Sequence, residues 1–253
     1  MLIGFGLPPQ SVALAGGTWL TDDGGAALFD GKPARRARIA RSGALAINIV
    51  LDQAIVPGII AVLGTNLPPG TPITAAGATG VTVRLPDNSV CAWLFPTGSA
   101  LVSSVAVEID TVVTNVEIGE IAMFAAVDVG IKDGWAVAIV DNSAHTRTKG
   151  GQLNTVPGAT YRRLTATLSG RPTEVARLGG LSGMDWETVA HALRGRRRSC
   201  VIPQYRDMAT KAFDPLLAAR SAIYGYATQP PTVENISRQY FTGYLEFEEI
   251  PAQ

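Results

Sequence analysis

Residues 44–64 read ALAINIVLDQAIVPGIIAVLG, and this stretch decides the fold class. Within ALAINIV, Leu45, Ile47 and Ile49 fall on one side of an extended chain and Ala44, Ala46 and Asn48 on the other. That is the period of a strand with one buried face. The competing reading of so apolar a run is a membrane span, which needs about 20 predominantly apolar residues. Asn48, Asp52, Gln53 and Pro57 interrupt this one too often.

Outward from this stretch the same alternation recurs in VTVRL (81–85), SVAVEID (104–110) and VEIGEIAMF (116–124). Turn-forming clusters separate the runs: NLPPGTP (66–72), LPDNS (85–89) and PTGS (96–99). In these, proline presets φ and glycine permits positive φ. Short strands with regular turn signals predict a sandwich or barrel. The character changes at DVGIKDGW (128–135), which sets the expected division into a β-sandwich over 1–130 and an α+β domain over 131–253. Strands are expected at GWAVAIV (134–140), YRRLTATL (161–168), SAIYGYAT (221–228) and QYFTGYLEFEEI (239–250). One main helix is expected where Trp186, Val189, Ala190 and Leu193 repeat at i, i+3, i+4 and i+7. Ser182 would cap it, with Asp185 in capping-box position, and Gly195 would end it. A short helical turn should start at Asp214 and Pro215. The fold class predicted is therefore mainly β, with a smaller, β-rich α+β part after the sandwich.

Of the 253 residues 47% are hydrophobic and 17% charged, enough apolar content for a sizeable core. Lys+Arg and Asp+Glu both number 21, so no whole-chain field draws the protein to nucleic acid or to an anionic membrane. Cys91 and Cys200 stand far apart without metal-ligand spacing, and read as buried free thiols. The opening MLIGFGLPPQSVALAGG lacks a basic region and carries Pro8 and Pro9, unlike a secretory signal. Folding in the cytoplasm is expected.

A catalytic reading would start from Asp141, Ser143 and His145, but alternate residues of one extended segment point in a row and do not converge. No nucleophile elbow accompanies them, and a polar loop with local Asx-type hydrogen bonds is preferred. His191 has no second ligand at helical spacing, and neither glycine pair (150–151, 179–180) sits in a phosphate-binding frame. No enzyme activity, metal or other cofactor is expected. Arg194, Arg196, Arg197 and Arg198 cluster at the helix C-terminus, where cations complement the dipole. They are also candidate contacts to an acidic patch, such as Glu246, Glu248 and Glu249 of another copy. Trp19 beside Asp22 and Asp23 is a candidate sugar platform, as is Trp93. The bland alternative for Trp19, with Leu28 and Phe29, is a plug at one end of the sandwich.

The order LFDGKPARRARI, then the strand run from INIV to AVLG, then VTVRL, AWLFPTG, SSVAVEIDT and VEIGEIAMF, resembles the discoidin or galactose-binding-like module. In that module an LxDG loop precedes the strands of a jelly-roll sandwich. The succession after residue 128 is similar to the segments C-terminal to the sandwich in minor virion proteins of long-tailed bacteriophages. The resemblance implies a structural component of a tail tip or baseplate, located in the virion. Such a component would join the tube end to other tail proteins or fibres, and to copies of itself in a ring. Lys32 and Pro33 come directly after Asp30 and Gly31, and a cation beside a lysine is disfavoured, so the calcium of sugar-binding relatives is not carried over. The alternative function is a carbohydrate-binding module that recognises a host surface glycan.

Overall fold

A computed structural model describes residues 1–6, 9–129, 134–181, 184–194 and 197–252. It is mainly β, with 54% of residues in strands and 10% in helices, as the alternating runs required. The first half comprises β1 (Leu2–Gly6), β2 (Pro9–Trp19), a 3-10 turn (Ala26–Phe29), β3 (Ala37–Ile55), β4 (Ile59–Leu63), β5 (Pro72–Ala75), β6 (Ala78–Val81), β7 (Val83–Arg84), β8 (Val90–Leu94), β9 (Val102–Ile109), β10 (Asn115–Ile118) and β11 (Glu120–Asp128). The second comprises β12 (Trp135–Asp141), β13 (Ala144–Arg147), β14 (Leu153–Val156), β15 (Thr160–Pro172), α1 (Thr173–Arg177), α2 (Trp186–Leu193), β16 (Ser199–Ile202), α3 (Pro215–Ser221), β17 (Ile223–Ala227), β18 (Glu234–Ser237) and β19 (Tyr240–Glu249).

These strands build two antiparallel sheets and a separate hairpin. The large sheet runs β12-β15-β19-β17-β16-β1-β11-β4-β8-β7, with β18 also on β19. The small sheet runs β10-β3-β9-β5-β6, with β2 also on β3. β1 pairs with β11 through Ile3↔Val127 and with β16 through Ile3↔Val201. The large sheet therefore continues unbroken past residue 130.

Leu45, Ile47 and Ile49 face inward, and with Val105, Val107 and Ile109 of β9 they pack on Ile60 and Val62 of β4 and Ile121 and Met123 of β11. Each fully buried side chain of this size stabilises the fold by about 1.5–3 kcal/mol. The other face of β4 and β11 is covered as well. Ile59, Ala61, Trp93, Phe124, Cys200 and Tyr224 pack against Ala218 and Ala219 of α3. Every residue of β4 and β8 is therefore buried, which explains why IIAVL and VCAWL are continuous apolar runs.

Two runs expected as single strands are split, because the chain changes sheet within them. VTVRL breaks at Thr82, between β6 of the small sheet and β7 of the large one. VEIGEIAMF breaks at Gly119, between β10 and β11. A Cβ on Gly119 would lie 1.8 Å from the Pro33 carbonyl oxygen, so only glycine fits the crossing.

In the second half, Trp186, Val189 and Leu193 of α2 pack with Ile3, Val127, Leu164, Leu245 and Phe247. The Trp186 indole N–H donates to the Thr232 carbonyl at 2.7 Å and fixes the helix on the sheet. The cap is Asp185, which accepts from the Thr188 N–H at 2.7 Å. Ser182 and Gly195 lie outside the described residues. α3 starts as expected, with Asp214 accepting from the Leu217 N–H at 2.9 Å.

Candidate functional site

The LFDG loop leads to a buried carboxylate that sequence reasoning passed over. Gly31, at φ 75°, donates its N–H to Glu120 Oε2 at 2.8 Å. The Tyr224 hydroxyl donates to Glu120 Oε1 at 3.1 Å, and Arg198 Nη1 approaches the same oxygen at 3.4 Å. Arg198 makes its shorter bond, 2.7 Å, to the Phe29 carbonyl. Glu120 thus ties the loop, the start of β11, the approach to β16 and β17 at one point. Burial raises its pKa to about 7, against the opposing pull of Arg198, Tyr224 and the Gly31 N–H. Burial also raises the Tyr224 hydroxyl. The group is a structural pin with a proton that titrates near neutrality.

The residues singled out by sequence do not assemble into one site. Trp19 is half-buried against the core, and a Cβ on Gly25 would lie 2.6 Å from its ring, so it plugs the sandwich end. Asp22 is exposed on the adjoining turn. Trp93 is only 5% exposed, because both faces of β8 are covered; it offers no ring face to a ligand. Arg197 is exposed, Arg198 turns toward Glu120, and Arg196 lies outside the described residues. Among the described residues, Arg198 is therefore directed away from any patch that Arg197 could form. The acidic partners suggested for them are engaged within the chain. Arg163 Nη2 meets Glu248 at 2.5 Å, and Arg162 Nε donates to Glu249 at 2.9 Å. Asp23 and Asp30 share the Arg35 guanidinium at 2.9 and 3.2 Å, beside an exposed Lys32. Among the described residues no group of three or more His, Cys, Asp or Glu side chains is placed to hold a metal.

Asp141, Ser143 and His145 form no relay. Asp141 accepts from the Ser143 N–H at 2.9 Å, and its hydrogen bonds from Ser143 hold its carboxyl below the usual range. His145 Nδ1 instead meets Thr155 Oγ1 at 3.1 Å. The Asx-type turn is as expected, but it opens a structured arm and not a polar loop. The β12–β15 ribbon ends at Asp141↔Thr160 and continues as β13–β14, paired from Ala144↔Val156 to Arg147↔Leu153. No residue of β13 or β14 is buried.

Among the described residues, three exposed features stand out. The arm is one. The second is β12, an edge strand carrying Trp135 and Val137 at 37% exposure and Ile139 at 76%. Beside it lies a cleft of about 560 Å³ between Ile139, Tyr161, Arg220 and the turn at Leu85, Pro86 and Asp87. The third is the outer face of the small sheet, where register aligns Ala13 and Ala15 of β2, Ala46 and Asn48 of β3, and Ala106 of β9. The chain matches no protein-family model and no curated protein.

Proposed function

We propose that this chain is a structural assembly subunit acting through packing and not chemistry, and that its place is the tail tip or baseplate of a long-tailed bacteriophage. One observation carries the assembly reading: the β12 edge and the β13–β14 arm are ordered as strands yet exposed along their length. A free edge offers backbone donors and acceptors to another chain, and proteins that remain monomeric blunt such edges. Here Ile139 and Leu153, at 76% and 60% exposure, leave it apolar. The tail assignment rests on the ordered resemblance of the sequence segments, since fold alone does not define function.

The test is to measure the mass of the purified chain by light scattering, image it by electron microscopy, and locate it on tailed particles with an antibody. Ring-shaped assemblies and labelling at the tail end are expected. A monomer that is missing from the particles would overturn the proposal.

A further inference from the structure

We infer that the β13–β14 arm of one copy docks on the outer face of the small sheet of a second copy, with Arg147 and Lys149 meeting Glu108 and Asp110. This rests on the assembly reading above and names the partner. The arm gains little stability from its own contacts. An isolated two-stranded hairpin is marginal in water at best, and both strands of this one are solvent-exposed throughout.

Charge indicates what covers it. Residues 144–159 include Arg147 and Lys149 and no Asp or Glu, and neither cation makes an ion pair among the described residues. The complement lies across the molecule. Glu108 and Asp110 are exposed at one end of the small sheet and likewise meet no cation among the described residues. Glu108 stands in register with Ala46 on one side and Thr74 on the other. The sheet beside it is covered by Ala13, Ala46 and Ala106, side chains short enough for a second layer of strands to lie flat.

The two surfaces belong to different copies for a geometric reason. The arm leaves from the last strand of the large sheet, six positions from β11. At about 4.8 Å per strand that is roughly 29 Å sideways, whereas the arm continues the β12–β15 ribbon along the strands. A contact between two different patches is heterologous, and repeated around an axis it forms a ring when the rotation closes and a filament when it does not. Two strands of four residues each make a small contact beside the roughly 800 Å² per partner of a standard interface. Pairwise affinity is therefore low, and ring closure supplies the rest.

The experiment is sedimentation velocity over a wide concentration range. It compares the full chain with Arg147→Glu/Lys149→Glu, with Glu108→Lys/Asp110→Lys, and with all four changes combined. The wild-type chain should associate. Each double reversal should weaken association by about tenfold or more, since attraction becomes repulsion, and the combined variant should recover it. Recovery also shows that the substituted chains fold. If the wild type associates but the reversals change nothing, or the combination fails to recover, this inference falls and the assembly reading stands. A wild-type chain that stays monomeric overturns the inference, and both readings fall if it is also missing from tailed particles.

Discussion

Replacing Glu120 by glutamine should make the protein relatively more stable at alkaline pH. Glu120 has two nearby donors besides Arg198, yet burial outweighs them, because the guanidinium sits 3.4 Å away and is 45% exposed, so solvent screens it. The carboxyl moves from 4.5 up to about 7. Below pH 4.5 the group is protonated both folded and unfolded, and contributes no pH dependence. Between 4.5 and 7 the unfolded chain ionises while the folded one keeps its proton, so stability falls as pH rises. Above 7 both are ionised and the loss is complete. At 1.4 kcal/mol per pH unit, the full loss is about 3 kcal/mol. The glutamine amide does not titrate, so Glu120→Gln escapes this fall. Urea unfolding of both proteins at pH 4.5 and pH 8.5, at one ionic strength, isolates the effect, because other groups cancel in the difference. The variant's stability relative to wild type should rise by about 3 kcal/mol between those pH values. A flat difference would show that Arg198 and Tyr224 balance burial, and one that falls with pH that they outweigh it; either would refute the reasoning.

Gly119→Ala should destabilise the fold by about 3 kcal/mol in thermal or urea unfolding, since its Cβ would meet the Pro33 carbonyl oxygen at 1.8 Å. Arg162→Ala should cost about 3 kcal/mol, because it strands Glu249 and the carbonyls of Arg220 and Ala222, which now accept at 3.0 and 2.8 Å. Cys91, pushed up to about 12 by burial, and Cys200, pushed up further, should resist a thiol reagent at pH 8 in the folded protein, and both should react in denaturant. Trp93→Ala should lower stability by about 3–5 kcal/mol, as for a core aromatic; an unchanged melting temperature would contradict its burial.

What could be read from the sequence and what could not divide along a physical line. β3 was legible because Leu45, Ile47 and Ile49 fill one core and leave the intervening residues wet. α2 was legible because Trp186, Val189, Ala190 and Leu193 fall on one buried stripe. Glu120 was not, because what makes it a site is supplied by Gly31, Arg198 and Tyr224, far away along the chain. β1 was passed over for a similar reason. Five residues reading LIGFG carry no pattern of their own, and their position in mid-sheet comes from pairing with β11 and β16.

The arm is the opposite case, and the more informative one. AHTR and LNTV show no alternation because neither face of the hairpin enters a core of this chain. Hydrophobic periodicity records only what a chain buries against itself. A segment that is ordered as strand without that record gains little from its own fold, since two strands in water barely offset the entropy of ordering them. The energy that would hold it in one shape must then come from a surface it meets. The only pattern such a segment can show is one suited to a partner, and here that pattern is Arg147 and Lys149 in sixteen residues free of acid, 144–159.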